Sequence, residues 1–253
     1  MKAHATPPVR CIVLVNSKIS VSKNQFSYTP NRSIYTFEER FAQTLQTLDS
    51  VRTQLPSAEI VFIDNSRLPA AHARRLETKV DIFLNPCDDD ELTDDTDVCP
   101  TKAVGELAQI RRALRIVDDR PRWTQLFKLC GRYLLNSAFD FGCFDNPHNQ
   151  FKVNAPLTAY KRSAAGMPDP GLPECRADKP ITAYFTSFYK IAAPHYAAYK
   201  DAVELAYGRF KADRRYVNEP LEWVLCHHIP AIEAVDSLGL TINCATEPWV
   251  EDV

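Results

Sequence analysis

Glycine is scarce in this chain, with 7 in 253 residues, and the stretch from Asn16 to Tyr35 contains none. A glycine-rich phosphate loop behind the first apolar segment is therefore absent, since such a loop needs glycine to let backbone amides close around an anion. G-x-S-x-G, P-loop and H-E-x-x-H patterns are also missing, which removes the nucleophile-elbow, P-loop and zincin chemistries those motifs mark. No apolar run approaches the roughly 20 residues of a membrane span. No secretory h-region follows the polar, proline-bearing residues Met1 to Arg10, because Cys11 to Val15 is only of strand length. The expectation is a cytoplasmic protein without an integral membrane segment, at most peripheral to the inner face of a membrane. Excess charge is lacking too. Thirty basic against 32 acidic residues leave a net charge of -2, so no global field draws the chain to nucleic acid or anionic lipid. Any phosphate must be met by local placement. The eight cysteines include no CxxC pair. Several lie in apolar runs and read as small buried hydrophobes, with a disulfide framework or a zinc site as the alternatives.

What is present is an ordinary globular balance, 45% hydrophobic and 25% charged, enough for a sizeable core in one large α/β domain or two small ones. Cys11 to Val15 is a continuous apolar strand. Thr36 and Glu39 form a Thr-x-x-Glu capping box, and Phe37, Phe41, Leu45, Leu48 and Leu55 keep helical spacing behind it until Pro56. Glu59 to Ile63 is a second strand ending at Asp64-Asn65-Ser66. A short basic helix, Pro69 to Thr78, leads to a third strand, Val80 to Leu84, then to an acidic loop, Asp88 to Asp97. A helix over Thr101 to Val117 has Val104, Leu107, Ile110 and Leu114 on one face. Strands alternating with helices predict βαβ units and a mainly parallel sheet flanked by helices, with the strand ends gathered on one edge. In the last third, five prolines between Pro156 and Pro180 mark a long excursion. Ile181 to Phe185 reads as a strand, Pro194 to Phe210 and Glu219 to His228 as helices, and Leu240 to Cys244 as a short strand.

The most informative segment is Leu126-Phe127-Lys128-Leu129-Cys130-Gly131-Arg132-Tyr133, an apolar run with two cations and a glycine at its end. Lys128 and Arg132 would suit an anion, most simply a diphosphate, and Gly131 would let backbone approach it closely. The structural alternative is an internal ion pair. Tyr133 could stack on a ring or fill the core. Asn16 and Ser17 lie just past the first strand, where a nucleotide can dock, and turn chemistry alone also explains them. Asp64 and Asn65 end the second, where such residues routinely cap a turn. Arg40 and Gln43 lie on the first helix, Arg40 as a phosphate contact or as part of an exposed face. Lys102, Gly105 and Glu106 open a helix whose N-terminus attracts anions; Gly105 there costs about 1 kcal/mol against alanine, which implies close packing or ligand approach. Asp88-Asp89-Asp90-Glu91 with Asp94, Asp95 and Asp97 could bind Mg²⁺ or Mn²⁺ through oxygen ligands, or be a solvated run. Glu219 and Glu222 fall in the first turn of a helix, where the dipole favours acids and where either could deprotonate a hydroxyl. His227 and His228 face different sides of that helix and read as surface or core residues. Nothing decides a role for His195.

The order of Arg40-Phe41-Ala42-Gln43-Thr44-Leu45 with Ser50-Val51-Arg52, Ile60-Val61-Phe62-Ile63-Asp64-Asn65-Ser66, Lys102 with Gly105-Glu106, Phe127 to Tyr133, Thr186-Ser187-Phe188-Tyr189-Lys190 and Asn218-Glu219-Pro220-Leu221-Glu222 spans nearly the whole chain. In these pieces the chain resembles nucleotide-sugar-dependent glycosyltransferases of the GT-A type, in particular those of bacterial and large-virus capsule, lipopolysaccharide or glycan synthesis. The resemblance implies a single GT-A-like, Rossmann-like domain. Its half over residues 1–150 would bind the nucleotide sugar and its half over 151–253 the acceptor. It implies a UDP-, GDP- or CMP-type donor, a glycan or lipid-linked glycan acceptor, and donor contacts from Asn16, Arg40, Asp64, Asn65, Lys102, Lys128, Gly131, Arg132 and Tyr133, with Asp64 at the base or ribose. Glu219 or Glu222 would be the catalytic base. The Asp-x-Asp that holds a divalent metal in such enzymes is replaced here by Lys128 to Tyr133, so no metal ligand is assigned, and the two cations could neutralise the leaving diphosphate by the same electrostatic logic. A non-catalytic nucleotide- or glycan-binding module is the alternative reading. A nucleotidyltransferase is disfavoured by the glycine-free loop.

Overall fold

The computed structural model describes residues 11–120, 122–157, 181–213, 216, 221–246 and 250–253. Strand β1 (Cys11–Ser17) is buried at all seven positions, as a strand covered on both faces must be. It pairs in parallel with β2 (Glu59–Asp64) on one side and β4 (Gln125–Cys130) on the other. Beyond β2 lies β3 (Ile82–Leu84), also parallel. On the far side of β4 the direction changes. Strand β8 (Phe188–Ala192) is antiparallel to β4, then come β6 (Asn149–Leu157) and β7 (Ile181–Tyr184), with β9 (Ile232–Val235) alongside β6. The order is β3-β2-β1-β4-β8-β6-β7. Four of its seven pairings are parallel, the mainly parallel α/β sheet that the strand spacing predicts. A second, antiparallel sheet joins β5 (Tyr133–Leu135), β10 (Leu240–Asn243) and β11 (Val250–Asp252).

Helix α1 (Phe37–Gln54) starts on the expected capping box. Thr36 Oγ1 accepts the Glu39 amide at 3.3 Å, and the Glu39 carboxylate accepts the Thr36 amide at 2.7 Å. Such a cap contributes about 1 kcal/mol. The helix stops two residues before Pro56, because the residue ahead of a proline is driven out of the helical region. With α2 (Ala70–Glu77), α1 covers one face of the sheet through Phe41, Leu48, Val51 and Leu76, against Val13, Val15, Phe62 and Phe127. Helices α4 (Lys102–Asp118) and α5 (Tyr196–Ala212) cover the other face through Val104, Leu107, Leu114, Tyr199 and Val203, against Ile12, Leu14 and Ile63.

Strands β5, β6, β8, β9 and β11 fall where the sequence gives no strand signal, and two further stretches differ from expectation. The acidic stretch is helical, not a loop: α3 (Asp90–Thr93), capped by the Asp89 carboxylate on the Leu92 amide at 2.9 Å, runs into a π-helical turn, Asp94–Val98. Acids in a first turn stabilise a helix start, so the charge run nucleates structure. The expected helix from Glu219 to His228 is described as two short pieces, α6 (Leu221–Val224) and a 3₁₀ turn, Cys226–His228. Most of the proline-bearing excursion lies outside the described residues.

Candidate functional site

The chain moves outward from β1 to β2 and β3, then returns through α4 to insert β4 on the opposite side of β1. The strand order therefore reverses between β1 and β4. In open α/β sheets the crevice beyond the strand carboxyl ends at such a point is where ligands dock. Asn16 and Ser17 end β1 there, Cys130, Gly131 and Arg132 end β4, and Lys102 and Glu106 come from the first turns of α4.

A chain of side-chain hydrogen bonds fixes the β1 and β2 ends to α4. Thr96 Oγ1 donates to the Leu92 carbonyl at 2.9 Å, so it accepts from Asn65 Nδ2 at 2.9 Å. That leaves Asn65 Oδ1 to accept from Gln109 Nε2 at 3.1 Å, while the same nitrogen also donates to the Ser17 carbonyl at 2.5 Å. Gln109 Oε1 then accepts from Asn16 Nδ2 at 3.1 Å, and Asn16 Oδ1 is left buried without a partner among the described residues. Gln109 was not singled out from sequence. Its signal was available: Lys102, Glu106 and Gln109 fall at i, i+4 and i+7, a polar stripe on a helix whose other inward positions are apolar.

Several expected donor contacts are occupied internally. Asp64 is fully buried, and its two carboxylate oxygens accept the amides of Ile19 and Ser66, each at 2.8 Å. Burial pushes its pKa up, against those hydrogen bonds. It organises the turns after β1 and β2, and the contact to a base or ribose expected of it does not fit this geometry. Asn65 is likewise held by Thr96 and Gln109. Arg40 is neither on an exposed face nor open to a phosphate. It is buried and donates to the Lys18 carbonyl from Nε at 2.8 Å and again from Nη2, and to Ser33 Oγ at 3.0 Å, pinning the glycine-free loop. Tyr133 lies in the core under α1 instead of offering a face for stacking. Gly131 is needed for packing: a Cβ there would come within 2.7 Å of Ser17 Cβ. Gly105 has the same kind of reason, since a Cβ would meet the Asp95 carbonyl and Thr96 Cα at 3.0 Å.

The two cations of β4 have opposite fates. Lys128 is buried, and its ammonium donates to Glu106 Oε1, to the Thr186 carbonyl at 2.8 Å and to Cys130 Sγ at 3.1 Å. All three of its donors are taken, so the direct diphosphate contact expected of Lys128 is corrected to an internal ion pair. Arg132 is different. It is 7% exposed, its Nε is buried without a partner, and among the described residues its guanidinium makes no hydrogen bond or ion pair, only a contact with the Tyr133 ring 5.7 Å away. Its charge is felt by its neighbours. Burial and then Arg132 push the Arg40 pKa down to about 9. Lys102, half-exposed, stands 3.6 Å from the second oxygen of Glu106. Burial raises the Glu106 carboxyl, but Lys128, Lys102 and Arg132 outweigh it and hold the group below the usual range. Four cations, Arg40, Lys102, Lys128 and Arg132, thus stand against two carboxylates, Glu106 and Asp64. Cations outnumber carboxylates there.

The acidic stretch faces cations. Asp89 pairs with Arg112 at 2.7 Å, Glu91 with Lys211 at 2.8 Å, and Asp97 with Lys18 at 2.9 Å, while buried Asp95 accepts from Tyr207 at 2.7 Å. Among the described residues no three histidine, cysteine, aspartate or glutamate side chains gather to hold a metal. Around the switch point, Glu106 is taken by lysines and Asp64 by amides, so the described carboxylates do not fit a divalent ion bridging a diphosphate. Glu219 and the Glu222 side chain lie outside the described residues.

No protein-family model matches the chain, and no curated protein is recognisably similar to it in sequence. Solved structures with a similar layout include three of note. A glycosyltransferase involved in glycosylation of the major capsid of PBCV-1 shares 7% identity at a TM-score of 0.46, over 89% of this chain and 81% of that one. The galactosyltransferase LgtC, in complex with donor and acceptor sugar analogs, shares 10% at 0.49, over 88% and 72%. A nucleoside-diphosphate-sugar pyrophosphorylase from Vibrio cholerae RC9 shares 11% at 0.47, over 90% and 94%. At this distance none of them says what this chain does.

Proposed function

We propose that the chain is a glycosyltransferase that moves a sugar from a nucleotide-diphosphate donor to a hydroxyl of a glycan or lipid-linked glycan acceptor, in surface polysaccharide synthesis. The observation that carries this reading is Arg132: a buried guanidinium with no anionic partner among the described residues, at the switch point of an α/β sheet and near enough to the half-exposed Lys102 for the two charges to act on each other. An ion without a partner there is costly to keep; a diphosphate supplies the missing charge in the bidentate form a guanidinium recognises.

In the reaction the bond from the anomeric carbon to the phosphate oxygen breaks, and the electron pair leaves with the nucleoside diphosphate. Arg132 and Lys102 stabilise that developing charge. The acceptor oxygen bonds to the anomeric carbon and gives its proton to a carboxylate, for which Glu219 and Glu222 are the candidates if the centre inverts. The half after residue 150 shapes the acceptor site. No helix among the described residues is long and apolar enough to cross a membrane.

Incubation with a panel of UDP-, GDP- and CMP-sugars, with and without Mn²⁺, is the test. Release of free nucleotide, slow without acceptor and faster with glycan mixtures, is expected. Tight nucleotide binding with no release under any condition would make the chain a binding module. Glu219→Gln and Glu222→Gln should differ, one cutting transfer at unchanged donor affinity; full transfer in both would remove these residues from the mechanism.

A further inference from the structure

The cation group at the end of β4 carries its own anion, and holds it unequally. Glu106, 6% exposed, pairs through Oε1 with Lys128 and through Oε2 with Lys102. The Lys128 contact is permanent in character: that lysine is buried, and its other two donors are fixed by the Thr186 carbonyl and Cys130 Sγ. The Lys102 contact is loose. Its side chain is 47% exposed, the separation is 3.6 Å, and among the described residues it has no other ion-pair partner. Arg132 lies near enough for its charge to act on Glu106 without touching it. An arriving diphosphate would therefore find one cation without an anion among the described residues, Arg132, and one that can be taken from its anion, Lys102.

We propose that Glu106 is a built-in competitor for the diphosphate: a positioning residue that parks Lys102 while the site is free, yields it to the phosphates of the donor, and reclaims it so that the nucleoside diphosphate can leave. The proposal rests on the anion-site reading above. It assigns the three residues different duties. Lys128 anchors Glu106, Glu106 sets how tightly the product is held, and Lys102 exchanges between carboxylate and phosphate. The i, i+4 spacing of Lys102 and Glu106 on one helix keeps the two groups in reach of each other in both states.

The direction of the effect separates this role from a merely structural one. A structural Glu106, when neutralised, would loosen the site and weaken anion binding. A competing Glu106, when neutralised, would free Lys102 and tighten it. Calorimetric titration with inorganic pyrophosphate, UDP and GDP should show Glu106→Gln binding about fivefold tighter than the native chain, the scale of one half-exposed ion pair. The gain should vanish when Lys102→Ala is added, and turnover limited by product release should fall. Equal or weaker binding by folded Glu106→Gln overturns the proposal. Should Glu106→Gln fail to fold, Lys102→Ala alone decides: its half-exposed side chain is dispensable for folding, and it should bind pyrophosphate about fivefold more weakly, whereas unchanged binding refutes the exchange. A native chain that binds none of the three probes refutes the anion site itself, a result distinct from any of these.

Discussion

Replacing Arg132 by methionine should stabilise the protein while abolishing diphosphate binding. The substitution keeps an unbranched side chain of similar reach and removes the charge. The native guanidinium is 7% exposed and lacks any hydrogen-bonded or ionic partner among the described residues, and a buried ion held this way carries a penalty of several kcal/mol. Part of that penalty is already offset by the attraction of Glu106, and removing the charge also relieves the repulsion that helps push Arg40 down to about 9. A net gain of about 1–3 kcal/mol is expected. For a chain of this size that is a rise in melting temperature of roughly 3–10 °C. Lys128→Met is the control. It breaks a buried pair from one side and leaves Glu106 without its main partner, a loss of about 3–5 kcal/mol. Differential scanning calorimetry gives the first quantity and titration with UDP, GDP and pyrophosphate the second. An Arg132→Met protein that melts lower and still binds nucleotide would refute the reasoning, because Arg132 would then be a structural cation like its neighbour.

Gly131→Ala should destabilise by about 1–3 kcal/mol, the usual cost of overpacking, because its Cβ would meet Ser17 Cβ at 2.7 Å; Ser17→Gly should recover part of the loss, and additive effects in urea unfolding would show the two sites are not in contact. His228 predicts an acid-side weakness. Burial, then Arg209, lowers its folded pKa from 6.5 to about 4. Between those values the unfolded chain binds a proton that the folded chain refuses, so stability should fall as pH drops from about 6.5 to about 4. In His228→Gln that stretch of the stability profile should be flatter; an unchanged slope would remove His228 as its source.

The fold was largely legible because its signals are local. Thr36 and Glu39 satisfy each other within one turn, and Cys11 to Val15 is apolar without interruption, so neither needs the rest of the chain to declare itself. The strand ends were legible as a place but not as an inventory. Asp64, Arg40 and Lys128 each stand where a ligand contact belongs, and each is occupied by a partner far away in sequence: the amide of Ile19, the carbonyl of Lys18, the carboxylate of Glu106. Nothing within a few residues of Lys128 announces that pairing, since Glu106 lies on a preceding helix. Gly131 was read as making room for a ligand, whereas the room is filled by Ser17. The acidic run misled because charge density was read as solvation, although Asp89 was already a good N-cap and Asp95 faces Tyr207 in the interior.

That contrast bears on which residues of the site are functional. A buried charge with a complete set of partners explains itself through the fold, and Lys128, Arg40 and Asp64 all do. A buried charge without partners is a liability that folding alone would not retain, since an apolar side chain would fit the same space at lower cost. Among the described residues Arg132 meets that description, and Lys102 approaches it, being held by one loose contact. The functional weight of the strand ends therefore falls on the pair left least satisfied among the described residues, and the internally paired cations serve to keep that pair in place.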